Sequence, residues 1–136
     1  TLGVGAGFAI ATKLRSPKSE VWTIFGDGAV GFSITELDTM VRFKLGVIMV
    51  IGNDAGWTQM VRDQERFLQS SVACVLSPTR YDLVCEAYGG KGFLVEKHED
   101  IESTLAQAKE AAAKGLPVVI NCRIARNNFR EGAISV

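Results

Sequence analysis

Neither sign of charge is in excess: 15 Lys and Arg residues balance 15 Asp and Glu. The chain therefore offers no basic stripe for a nucleic-acid backbone and no acidic tail. Cysteine is scarce. Cys74, Cys85 and Cys122 stand in apolar settings without C-x-x-C spacing, which argues against a disulfide framework or a zinc site. They are expected as buried, reduced thiols, in keeping with an intracellular setting. Histidine occurs once, as His98 in "EKHED", and is expected in a solvated loop. No apolar run nears the roughly 20 residues of a membrane span. "GVGAG", Gly3 to Gly7, lacks the G-x-G-x-x-G spacing and a preceding strand, so it does not read as a nicotinamide fingerprint.

What is present is alternation. The chain has 136 residues, about one domain's length. Helical patterns are expected over Val4–Leu14, over Ser33–Lys44, from Ser77-Pro78 to about Tyr88, and over Glu99–Gly115. Between them lie short apolar runs read as buried strands: Val21–Phe25, Gly46–Gly52, Gly92–Glu96 and Pro117–Ile124. "WTQMVRDQERF" is polar and ambiguous, with a short helix over a site as one reading. Ser33 and Glu36 fit a capping box. Alternating strands and helices, with strands apolar on both faces, predict an α/β fold. Its open parallel sheet would carry helices on both faces.

Ligands of such sheets bind beyond the carboxyl ends of the strands. Two chemistry-bearing sequences fall there. "GDG" places Asp27 after the first strand, and "GND" places Asn53 and Asp54 after the second. A carboxylate and an amide oxygen suit a hard cation such as Mg²⁺, which completes its coordination with phosphate and water. Gly26 permits a tight strand exit, and Gly28 leaves room for a phosphate to approach the backbone. A helix N-terminus just beyond favours the same anion. A lone GDG is a common turn. The pairing of two such sequences after consecutive strands is what points to a site.

The stretch "GDGAVGFSITELDTMVRFKLGVIMVIGNDAGW" resembles the GDG…NN cofactor motif of thiamine diphosphate enzymes, and the likeness covers essentially the whole chain. Within them it is most similar to the acetolactate synthase and 2-hydroxyacyl-CoA lyase branch, through "GNDAGWTQ", "YGGKGFLVE" and "FREGAISV". The resemblance implies thiamine diphosphate and Mg²⁺ as cofactors. Asp27, Asn53 and the Ala55 carbonyl would be metal ligands, and Gly28 and Ala29 would hold the diphosphate through backbone N–H groups. "TLGVG" would flank the rings, with Leu2 as the apolar wedge that bends the cofactor and Gly3 beside it. Trp57 is the best candidate for shaping the substrate pocket, with Thr58 and Gln59 next to it. Two departures stand out: Gly52 replaces the first Asn of the motif, and Ala29 replaces a common Ser.

The implied activity is cleavage or formation of a C–C bond next to a carbonyl. The substrate would be a 2-hydroxyacyl-CoA or a 2-keto acid, with 2-hydroxyacyl-CoA lyase ahead of acetolactate synthase. No catalytic residue is matched in residues 1–136, which read as the C-terminal pyrophosphate-binding domain. The activating Glu is expected in a pyrimidine-binding domain upstream, which would also build a homodimer or homotetramer. The resemblance further implies attachment to the endoplasmic reticulum membrane through an upstream anchor. Rival readings stay open: a non-catalytic homologue, or a generic phosphate-binding domain in which GDG is only a turn. Asn127-Asn128 is read as turn chemistry. Arg126 and Arg130 belong to a tail that either is solvated or folds over the site.

Overall fold

The four apolar runs pair into one parallel sheet. A computed structural model describes residues 1–127. The strands are β1 (Val21–Gly26), β2 (Val47–Asn53), β3 (Lys91–Val95) and β4 (Val118–Arg123), in the order β1-β2-β4-β3. Six helices join them: α1 (Gly5–Arg15), α2 (Asp27–Val30), α3 (Glu36–Arg42), α4 (Thr58–Leu68), α5 (Tyr81–Ala87) and α6 (Ile101–Ala113). Among the described residues no helix is long and apolar enough to cross a membrane. Asn128, Arg130 and the rest of "FREGAISV", singled out above, lie outside the described residues.

Side chains alternate across a strand, so the sheet has two faces. One buries Val21, Phe25, Val47, Met49, Ile51 and Val119 against Ala6 and Ala9 of α1, Leu37 and Met40 of α3, and Cys85 of α5. The other buries Ile48, Val118, Ile120 and Val95 against Ala108 and Ala112 of α6. The expected three layers are present. The second face is only partly covered, however. β1 is an edge strand, and its Ile24 is 81% exposed. The expectation that every strand is buried on both faces therefore fails at β1.

Close helix–sheet contact depends on a missing side chain at Gly46, which enters β2. A Cβ there would run into the Ala112 carbonyl of α6, a backbone atom with no flexible end to move aside. Gly46→Ala is expected to destabilise the domain by about 1–3 kcal/mol, the usual range for overpacking. Chemical denaturation reads this directly as a lowered midpoint.

Two helix expectations are corrected. The helix expected over Ser33–Lys44 begins only at Glu36, after turns that follow the one-turn α2. Its cap is Thr35, which makes no side-chain capping bond, and the buried Ser33 Oγ has no hydrogen-bond partner among the described residues. The capping box does not form. The helix expected from Ser77-Pro78 begins at Tyr81 instead. The Thr79 carbonyl, which an earlier start would use inside the helix, is taken by two asparagine side chains, Asn53 and Asn121. The ambiguous polar stretch forms the helix α4, none of whose residues is buried.

Candidate functional site

The separation of Asp27 and Asn53 is the register of the sheet. β1 and β2 pair from Val21↔Val47 to Gly26↔Gly52, so the next residue of each strand leaves the same edge beside the other. Both side chains are buried, at 2% exposure each. Asp27 Oδ2 accepts the Gly56 N–H at 3.0 Å, and Asn53 Oδ1 accepts the Ala55 N–H at 3.2 Å. The two oxygens are thus pinned on successive peptide groups of a single loop. Asp27 Oδ1 takes the Gly28 N–H at 3.0 Å.

A cavity of about 500 Å³ opens at this edge. Leu2, Gly26, Asp27, Gly28, Ala29 and Trp57 all line it, from segments far apart in sequence. Gly52 and Asp54 of the second motif line it as well, together with Met60 and Ile124, which sequence reasoning did not assign. Leu2 is 65% exposed, an apolar side chain held at the cavity mouth. Gly3 lies elsewhere. It has φ +76°, packs on Phe32, and borders a separate shallow hollow beside α1. Asn53 and Ala55 sit behind the cavity wall and not on its lining.

The expected anion end of the Ser33–Lys44 helix is displaced from this point, because α3 starts nine residues beyond Asp27. Here α2 takes its place. Its first turn leaves backbone N–H groups without partners inside the helix. Ala29 belongs to that turn and faces the cavity. The room that Gly28 leaves is used by protein: its Cβ position lies 2.5 Å from the Trp57 indole. Gly52 also has a local reason. A Cβ there would stand 3.2 Å from Cδ1 of Ile124, just past β4, so a larger residue would have to push that side-chain tip aside.

The electrostatics are those of an anionic pocket. Burial pushes the Asp27 carboxyl above its usual range, and the nearby Asp54 charge adds to this against the pull of the Gly56 N–H. Tyr81 donates its hydroxyl to the Asp27 carbonyl at 3.1 Å. Burial and the Asp27 charge keep that phenol protonated well past neutral pH. Asp54 accepts the Thr58 hydroxyl at the start of α4.

Ala55 has φ 57°, a left-handed conformation that costs a non-glycine residue about 1 kcal/mol. Its carbonyl accepts from the Leu76 N–H and from Arg126. Arg126 also donates to the Asp54 carbonyl at 2.9 Å. The start of the tail therefore returns to the loop that carries Asn53, and Arg126 is no solvated bystander. Of the three oxygens expected to meet a metal, those of Asp27 and Asn53 keep lone pairs in hand. The Ala55 carbonyl already has two donors, its full complement.

The thiols take no part. Cys85 is fully buried, and burial pushes its pKa to about 12. Cys74 is buried as expected, while Cys122 is only half-buried. His98 sits exposed in a short turn before α6.

Residues 1–122 match the family described as "Thiamine pyrophosphate enzyme, C-terminal TPP binding domain". Along its whole length the chain is 46% identical to the 2-hydroxyacyl-CoA lyase 2 of Danio rerio and 47% identical to that of Homo sapiens. A probable acetolactate synthase of Mycobacterium bovis is 43% identical over 88% of the chain. In each case the chain spans 22% of the relative's length. A solved thiamine diphosphate-dependent 4-hydroxybenzoylformate decarboxylase of Rhodococcus jostii RHA1 shares the fold, with a TM-score of 0.82 at 24% identity. That match covers 93% of this chain and 24% of the other. The parallel sheet, the cavity at its carboxyl edge and the family match agree: the chain belongs to the thiamine pyrophosphate enzymes, as their C-terminal TPP-binding domain.

Proposed function

We propose that this domain holds the diphosphate end of thiamine diphosphate through Mg²⁺, within a 2-hydroxyacyl-CoA lyase. The observation that carries the reading is the Asp27–Asn53 pair. Two buried oxygens, one just past β1 and one at the end of β2, are fixed on successive peptide groups of one loop, with Asp27 on the cavity lining and Asn53 behind it. Hard oxygen donors of this kind suit Mg²⁺, which takes few protein ligands and fills the rest with phosphate and water. The surplus of negative charge from Asp27 and Asp54 is what such a cation would offset. The donor set thus fits the metal, with Asp27 and Asn53 as its side-chain ligands.

The Ala29 N–H in the first turn of α2 would receive the diphosphate, since the Gly28 N–H is already held by Asp27 Oδ1. Ala29 brings no hydroxyl to that contact, so the backbone carries it. Leu2 and Trp57 supply apolar walls to the same cavity. When bound, thiamine diphosphate supplies the carbanion chemistry, and the protein supplies position and electrostatics. The activating Glu is proposed to come from a pyrimidine-binding domain outside this chain. The same partner domain would complete a homo-oligomer and cover exposed apolar side chains such as Phe8, Phe32 and Phe67.

Lyase stands ahead of synthase because the lyase relatives align over all of this chain, at higher identity. Product analysis on the chain joined to its pyrimidine-binding domain separates the two. Release of an aldehyde and formyl-CoA from a 2-hydroxyacyl-CoA is the expected result. Formation of acetolactate from pyruvate, without that release, would transfer the reading to the synthase.

A further inference from the structure

An asparagine ligand must present its oxygen and not its amide nitrogen, and the two differ by a simple flip. At Asn53 the choice is made from behind. Its Nδ2 has two acceptors waiting: the Thr79 carbonyl at 2.9 Å and Asn121 Oδ1 at 3.0 Å. Flipped, the amide would set its NH₂ against the Ala55 N–H and its oxygen against those acceptors.

Asn121 is itself an amide that could flip, and it is fully buried in β4, directly after three apolar residues. Its orientation is fixed by Asp82, whose ionised carboxylate can only accept. Asn121 Nδ2 donates to Asp82 Oδ1 at 3.0 Å and to the Thr79 carbonyl at 3.2 Å. Asp82 is 3% exposed. Burial alone would raise its pKa, but hydrogen bonds from Arg80 and Asn121 outweigh it and hold the carboxyl below the usual range. Arg80 meets it through a bidentate pair, Nε to Oδ1 at 3.0 Å and a terminal nitrogen to Oδ2 at 2.5 Å.

We infer that Asp82 and Asn121 are positioning residues. The fixed polarity of the Asp82 carboxylate is handed through Asn121 to Asn53, so that the Asn53 oxygen faces the 54–56 loop and the proposed cation. This explains why β4 spends a buried position on an amide. An apolar residue would pack against α5 without the cost of satisfying a buried amide. The inference rests on the metal reading above.

The test uses the chain joined to its pyrimidine-binding domain. Its readouts are the Mg²⁺ half-saturation for thiamine diphosphate binding and the melting temperature of the metal-free protein. Asn121→Leu is expected to raise the Mg²⁺ half-saturation by about 10–100-fold, the usual scale for groups that orient a metal ligand. Cofactor affinity should recover at saturating Mg²⁺. Asn121→Ala should act in the same direction, and serves if the leucine variant does not fold. Ile48→Ala, on the opposite face of the sheet, is the structural control. It should lower the melting temperature and leave the half-saturation in place. Folded Asn121 variants with unchanged half-saturation, or a shift matched by Ile48→Ala, would overturn the relay alone. A wild-type protein that binds the cofactor without regard to Mg²⁺ would overturn the metal reading and the relay with it.

Discussion

Asp27→Asn is expected to weaken Mg²⁺-dependent binding of thiamine diphosphate by about 100-fold or more, roughly 3 kcal/mol. The variant keeps the shape of the side chain and removes its charge. The charge is what a buried cation site needs, because a neutral oxygen offsets little of the ion's lost hydration. In the metal-free domain the same change should matter much less. Asp27 gains from two backbone N–H groups and loses from burial and from Asp54. An asparagine gives up one of those acceptors and is relieved of the unfavourable charge. The two effects oppose each other, and the net change in stability is expected within about 1 kcal/mol. Binding lost while the metal-free melting temperature stays in place is therefore the signature of a ligand. A drop in melting temperature with binding intact would make Asp27 a structural turn residue.

The second large effect is expected at Gly28→Ala. By helix propensity alone this change should stabilise α2, by about 1 kcal/mol. The contact with Trp57 decides otherwise. The new methyl group would lie 2.5–2.7 Å from three indole atoms, well inside the separation of non-bonded carbons. The Trp57 backbone has no freedom to retreat, since its N–H is bonded to the Cys74 carbonyl at 2.8 Å and its carbonyl to the Val61 N–H at 2.9 Å. Only the side chain can move. It would break the edge contact with Phe32, whose ring centroid is 6.1 Å away, or swing into the cavity. Overpacking of this kind costs about 1–3 kcal/mol, more than the helix gains. Either movement disturbs a cavity wall, so cofactor affinity should fall by about tenfold, 1.4 kcal/mol. Trp57 fluorescence in a Trp22→Phe background reports the movement, and Trp57→Ala should restore the stability that Gly28→Ala loses. A Gly28→Ala protein with unchanged emission and affinity would show that the indole is not confined.

The fold was largely legible because its strands are short apolar runs between helical patterns. The meeting of Asp27 and Asn53 was legible too, since a register offset appears in the sequence as a spacing: Gly26↔Gly52 puts Asp27 beside Asn53. The helix after GDG was misplaced because Ser33 and Glu36 match a capping pattern that the chain does not use. A local pattern cannot reveal that the Ser33 hydroxyl will be shut away in a turn. The residues behind the site were illegible for a different reason. Asn121 reaches Asn53 across 68 residues, and Tyr81 reaches Asp27 across 54. Arg126 closes on Ala55 across 71. No periodicity encodes such contacts. One clue was available in "PVVINCRI", where an amide follows the apolar run Val118–Ile120 inside the strand. Burial makes such a group costly unless it is fully bonded, and its partners proved to be Asn53, Thr79 and Asp82.

The most direct measurement titrates thiamine diphosphate into the chain joined to the proposed pyrimidine-binding domain, with Mg²⁺ present and with Mg²⁺ chelated, following Trp57 emission. Saturable binding that requires the divalent ion, and that disappears in Asp27→Asn, is the predicted result. Binding of equal strength with and without Mg²⁺, or binding unchanged by Asp27→Asn, would contradict the assignment of this sheet edge as a metal-bridged diphosphate site.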